Sequence, residues 1–517
     1  MVFTCSNYSM GVAMKNATAS SFRVQTNAPG FGFYVGIYLF GVAAMISLLY
    51  ATLANAESFR VQCPSATTLH PANGSAPGQI KCQEIAGSDG YATMGDGHQI
   101  YLFGFGPLSG TANLQQGLPG TVPAVNFNDP NDPNAGKFEP AAIMNNGVLA
   151  ANAPAPMMAI DEDDEFFLTL SNVGMIMRPD LFEQHTVHFH GYPNASSFFD
   201  GVPDASVAIN IAGSFTYYYT APDAGSYFWH CHITPPEHLQ MGMVGQLYVR
   251  PRQNRVNGDI GAALLTANKK AAVDPAATGV GCSDILCTGQ TPLPVSANLN
   301  NGGATGVIND GTAKYAYNDG DGSTRYDVEY PIQMMGFDPN FHYVGMTFNP
   351  EAFADMKDKY FLLSGRSYPD TVNTNVVNTG VDAGGNPVPN GPMATLSSDG
   401  ISRPSQPQPT LITLRSGQRA LLRISDLNVT EFHTLATVGI PMLVIADNAR
   451  LLRDMAGNNM YYKTNSITLG GGESTDVILD STGVPPGTYF LYTSNLDHLS
   501  NDAENFGGMM TEINVTN

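Results

Sequence analysis

The feature that most narrows what this chain can fold into is a set of histidines at strand spacing. Six of its eleven histidines fall between positions 185 and 238. Five of these stand in two short segments, His185-Thr186-Val187-His188-Phe189-His190-Gly191 and His230-Cys231-His232. Successive side chains of a β-strand point to opposite faces. Read as strands, the first segment puts His188 and His190 on one face and His185 on the other. The second puts His230 and His232 together and Cys231 opposite them. Two adjacent strands of this kind offer four imidazoles on one side of a sheet, and an imidazole plus a thiol on the reverse.

The surrounding sequence reads as all-β. From Glu165 onward, EFFLTLSNV, HTVHFHG, SFTYYYTAP, GSYFWHCHI and GQLYVRP are short β-branched and aromatic runs bounded by turn residues, the pattern of a sandwich. A charged fraction of only 13%, with 54 glycines and 35 prolines, fits many short strands joined by turns. At 517 residues the chain is too long for one ordinary core, and two domains are expected. Residues 57–252 make the first, with a Gly/Pro/Asn-rich stretch over 107–156 that reads as loop. Residues 253–325, poor in large apolar side chains, read as a linker or surface insertion. Residues 326–517 repeat the earlier order of elements and read as a second copy. His185 to Gly191 parallels His433 to Gly439, and Gly225 to His232 parallels Gly487 to Ser494. In the second copy Ala436, Val438, Tyr492 and Ser494 stand where the first has paired histidines. His433 and His498 then read as isolated structural histidines, as do His70, His98 and His342.

A formal charge of −21 leaves no broad basic surface for a phosphate backbone and argues against a nucleic-acid partner. Among six cysteines, the spacings of Cys63/Cys82 and Cys282/Cys287 suit two loop disulfides in an oxidising compartment. Residues 31–56 are uncharged and long enough to cross a bilayer as a helix. They end in Ala54-Asn55-Ala56, a small-x-small pattern like a signal-peptidase site. Residues 1–56 are therefore a cleaved signal or a retained membrane anchor, and in either case the bulk of the chain is expected to be exported, to a periplasm, a cell surface or the extracellular space.

A thiolate with two imidazoles and a weak thioether suits a copper ion that cycles between Cu(I) and Cu(II). His185, Cys231 and His238, with Met243 as the axial thioether, supply that set and predict a type 1, blue-type copper centre. Met241 is a substitute axial ligand at a poorer offset. His188, His190, His230 and His232 form a second candidate copper-holding face. Asp200, Asp204 and Glu237 are candidate proton relays, because oxygen reduction takes a proton for each electron. Asp200-Gly201 also reads as a tight turn.

The motifs HTVHFHG (185–191) and HCHITPPEHLQMGM (230–243) resemble those of the multicopper oxidase superfamily. The 326–517 region is similar more weakly, through YFLLSGRSYPDT and GTYFLYTS. The resemblance implies cupredoxin-like Greek-key sandwiches and a type 1 copper that receives single electrons from a reducing substrate. It also implies a relay through the Cys231 backbone to type 2/type 3-like coppers held by His230 and His232, where dioxygen is reduced. The chain departs from the family in a Cys-to-His gap two residues longer than usual, and in carrying only two of the four His-x-His pairs of a standard trinuclear site. A symmetric assembly of two first domains would bring eight imidazoles together. The expectation is thus an exported copper oxidoreductase using a small reducing substrate or an electron-donor protein. An electron-transfer or copper-binding module without turnover, and a copper nitrite reductase, are the alternatives.

Overall fold

The strand Gly225–His230 is buried along its whole length, so its alternation separates two kinds of interior rather than core from solvent. Tyr227, Trp229 and the following Cys231 enter the core of the N-terminal sandwich, whereas Phe228 packs with Phe337, Tyr360 and Leu362 of the C-terminal half. The computed structural model describes residues 59–517, apart from 97, 192–195, 222, 274–290, 348–351, 373–394, 397–401 and 404–409. The expected N-terminal signal or anchor and the Cys282/Cys287 pair lie outside the described residues. Among the described residues no helix is long and apolar enough to cross a membrane. Cys63 and Cys82 are joined in a disulfide, as their spacing suggested.

Two β-sandwiches repeat one plan. In the first, one sheet runs Gln99–Pro107, Ile80–Thr93, Glu165–Gly174, Ser214–Thr220, and the other runs Met158–Asp161, Val244–Arg250, Gly225–His230, His188–Phe189. In the second, Val328–Phe337 lies parallel to Arg419–Asp426 as Ile80–Thr93 lies parallel to Glu165–Gly174. Ile412–Arg415 lies parallel to Met510–Thr516 as Met158–Asp161 lies parallel to Val244–Arg250. Register confirms the internal repeat: His188 pairs with His230, and Ala436 pairs with Tyr492.

Two stretches expected to be loop carry more structure. Residues 107–156 include the short helices Thr111–Leu114, Ala124–Phe127 and Pro140–Gly147, whose brevity left no helical period to read. The 253–325 segment contains the helix Ile260–Val273 and buries Ala316 and Tyr317 in a cluster with Ala224, Leu421 and Ile478.

Besides the apolar cluster around Phe228, the halves meet through polar groups. Gln246 Nε2 donates to the Arg423 carbonyl at 3.1 Å and to Ser425 Oγ at 2.7 Å. Ser226 Oγ donates to Asp476 Oδ1 at 2.6 Å, and Ser474 Oγ donates to the Ser226 carbonyl at 2.7 Å. Arg423, wholly buried, lies 2.7 Å from Glu329 and 3.5 Å from Asp476, with Tyr248 of the N-terminal half beneath its guanidinium at 5.1 Å. Removing one member of a buried charge group strands the others without water. Arg423→Met is therefore expected to cost about 3–5 kcal/mol in denaturant unfolding, and a loss below about 1 kcal/mol would contradict this account of the interface.

Candidate metal centres

Strand alternation delivers the two histidine groups to opposite faces, and the connecting turns close each one. On the core face, one ligand atom from each of His185, Cys231 and His238 lies within 4.8 Å of the others, and all three residues are fully buried. His238 Nδ1 is 3.2 Å and His185 Nδ1 4.0 Å from Cys231 Sγ, and the Thr186 N–H points at the sulfur from 3.4 Å. The longer Cys-to-His gap is taken up by the helix Pro235–Gln240, entered through Thr234 at φ 36°, with prolines in its first turn. Prolines are tolerated there because the first N–H groups of a helix have no internal partner. Met243 accepts from the Cys231 N–H at 3.1 Å and donates to the His238 carbonyl at 2.8 Å, so its backbone bridges the two ligands. Met241 and Met243 are both fully buried in the same core cluster as Cys231.

Electrostatics suit this pocket to a metal that binds thiolate. Burial opposes ionisation of Cys231, but the charges and hydrogen bonds of His238 and His185 outweigh it and hold the thiol well below its usual range. Burial likewise disfavours a charged His238, yet the thiolate, with Glu183 and Glu237, raises it to about 10. A thiolate and an imidazolium sharing a dry pocket is the charge pattern a thiolate-bound metal cation replaces.

On the interface face, ligand atoms of His188, His190 and His230 lie within 4.8 Å of one another. His232 stacks 5.5 Å from His230 and lies edge-on 5.0 Å from His188. The orientation of these rings is set from behind. His188 Nδ1 is 2.7 Å from the Asp200 carbonyl, and His230 Nδ1 is 2.7 Å from the Cys231 carbonyl. The His190 ring lies close against the Gly472 backbone of the C-terminal half. Each Nδ1 that donates to a carbonyl leaves a bare lone pair on Nε2. The Nε2 atoms of His190 and His230 face each other at 3.0 Å, an arrangement that a shared proton or a bound cation relieves. Burial pushes His230 down to about 3 and His190 down to about 4, so both rings are neutral, and able to ligate, at ordinary pH.

The structure distributes the acidic candidates unevenly. Asp200 reaches the four-histidine face, its carboxylate 3.6 Å from His188 Nδ1. The Asp200-Gly201 turn presses so close to Val187 that a side chain at Gly201 would overlap the Val187 carbonyl, and this fixes the Asp200 carbonyl on His188. Glu237 is buried beside His238, where its charge acts on the Cys231 pocket, and Asp204 is exposed. His70 and His342 are engaged structurally, by Glu165 at 2.7 Å and by the Tyr101 and Gln240 carbonyls. His433 and His498 are not isolated: their rings lie 5.5 Å apart in an acidic pocket.

Two residues were missed from sequence. Glu183 lies 3.8 Å from His238 Nε2; its i, i+2 relation to His185 was the available signal. Gly87 makes room for a ligand, since a side chain there would meet His185 Cδ2 at 2.6 Å. No sequence period announces such an approach.

A buried cysteine between two imidazoles, with methionines at hand, on a cupredoxin-like sandwich defines a blue-copper type of protein. Family models described as multicopper oxidase match residues 124–253 and 356–513, together more than half of the chain. The chain belongs to the multicopper oxidase superfamily, whose cofactors are copper ions including a type 1 centre. It is 32% identical over 103 residues to the multicopper oxidase MCE of Talaromyces pinophilus, and 31% identical over 104 residues to the laccase abr2 of Aspergillus fumigatus. Each match spans 20% of this chain and 16% of the relative. Solved structures similar to it include a blue copper oxidase of Nitrosomonas europaea, with a TM-score of 0.47, 16% identity, and coverage of 84% of this chain and 86% of that one. A copper nitrite reductase of the same organism gives 0.45, 12%, 85% and 95%.

Gly87→Ala leaves every candidate ligand in place while crowding the His185 ring. It is expected to weaken copper retention at the thiolate pocket by roughly ten- to a hundredfold, as loss of an orienting contact does. Chelator competition followed at the blue absorption checks this; unchanged retention would show that the ring is free to move aside.

Proposed function

We propose that this chain is a copper oxidase that takes single electrons from a small reducing substrate at the His185/Cys231/His238/Met243 centre and delivers them to dioxygen at the His188/His190/His230/His232 face. The observation that carries the reading is that Cys231 lies between His230 and His232 in one backbone, so the two faces are joined by covalent bonds alone. Copper, when bound, supplies one-electron cycling at the first site and dioxygen reduction at the second.

The protein's own groups have distinct tasks in this reading. His185 and His238 hold the thiolate in a dry pocket, and Met243 is the axial thioether. Glu183, partly exposed, reaches the outer nitrogen of His238 and marks the side on which a small donor docks, where its carboxylate accepts the proton that a phenol or amine sheds on oxidation. Asp200 orients His188 and holds a carboxylate beside the second face for the protons that reduced oxygen requires. The disulfide is consistent with a chain that works outside the reducing cytosol, in line with the export expected from residues 1–56.

The test is oxygen uptake by fully copper-loaded protein with phenol, diamine and metal-ion donors, alongside copper content per chain. Sustained uptake, blue absorption and at least two coppers per chain are expected, with Cys231→Ser losing both the blue absorption and the uptake. Reversible blue cycling without turnover would reduce the protein to an electron carrier. Reduction of nitrite by a reduced dye, with no oxygen uptake, would reassign the second face.

A further inference from the structure

The C-terminal sandwich lacks a cysteine at the position corresponding to Cys231, where Thr493 stands, yet the corresponding end of that sandwich is still rich in ligand atoms. We propose that His433, His498, Glu431 and Asp358 form a thiolate-free site for a divalent transition-metal ion of zinc's class. One ligand atom from each of Asp358, Glu431 and His433 lies within 4.8 Å of the others, and His498 Nε2 is 3.1 Å from Glu431 Oε2. The His433 and His498 ring centroids are 5.5 Å apart, against 5.4 Å for His185 and His238. The internal repeat explains the match: His433 occupies the place of His185, and His498 lies five residues after Thr493, where His238 lies seven after Cys231. The frame is kept and the soft ligand is replaced by carboxylates. Two imidazoles with carboxylate oxygens suit zinc and its neighbours, whereas a thiolate is what favours Cu(I).

Unsatisfied buried groups border the cluster, in which an ion would displace the Asn495 amide from His498 Nε2, at 2.8 Å, and compete with the Gln240 and Thr430 side chains for Asp358. Asp426 Oδ2 and His498 Nδ1 are buried without hydrogen-bond partners, and His433 Nδ1 lies 3.2 Å from Asp426 Oδ1 without the alignment of a hydrogen bond. The Asn428 amide faces His433 Nε2, Thr430 Oγ1 and the Glu431 carbonyl, three acceptors for two N–H bonds, so the Nε2 lone pair is not fully committed. Native proteins leave few such groups unpaired. Phe361 stacks on His498 at 3.9 Å and fixes its ring, and the exposed Glu431 gives an ion a way in from solvent.

The experiment is equilibrium dialysis of copper-loaded protein against zinc chloride, with elemental analysis and zinc-edge X-ray absorption. Wild type is expected to keep one zinc per chain beyond its copper, in a shell of nitrogen and oxygen only. Glu431→Gln, at an exposed position that leaves packing untouched, is expected to lower zinc affinity by roughly tenfold or more, and His498→Ala to abolish binding, with copper content and blue absorption unchanged. If His498→Ala does not fold, Glu431→Gln decides the matter. The proposal is overturned if wild type keeps no zinc, if Glu431→Gln binds it as wild type does, or if sulfur appears in the zinc shell, which would place the ion on Cys231.

Discussion

The pairing of His188 with His230 is the constraint on which both candidate metal-holding groups depend. That register sets the four-histidine face toward the C-terminal half, and the alternation of the same strand then forces Cys231 into the opposite core. A slip of one residue would turn every ligand to the wrong side. The strand tolerates so much polarity because neither face meets water. Each imidazole finds a carbonyl, a thiolate or another imidazole, and the neighbouring positions are filled by Tyr227, Phe228 and Trp229.

The second sandwich keeps the architecture without the paired histidines of the first. Ala436 opposite Tyr492 repeats the pairing of His188 with His230, and Arg423 with its acidic partners Glu329 and Asp476 ties three neighbouring strands of one sheet together. Its contribution to the four-histidine face is a backbone group, the Gly472 contact with His190, rather than an imidazole.

Much of the fold, and the proximity of the candidate ligands, was legible because period-two alternation and motif spacing are local properties of sequence. His185, Cys231 and His238 converge as their offsets suggested, and the repeat is visible in matched registers. What escaped depends on long-range contact. Gly87 lies almost a hundred residues before the ring it makes room for, and Asp358 and His433 are brought together only by folding. The helices within 107–156 were hidden because four to eight residues do not establish a period. The reading of His433 and His498 as solitary failed for the same reason: neighbours in space were distant in the chain.

The contact between His190 and Gly472 makes the two centres mechanically unequal. The thiolate pocket lies wholly inside one sandwich and is as rigid as that core. The imidazole face is braced by the other half of the chain, so any breathing at the seam between the sandwiches tilts His190 while Cys231 stays still. Slow opening of that seam would then appear as fluctuation in the four-histidine face alone, a motion that the cysteine pocket does not share.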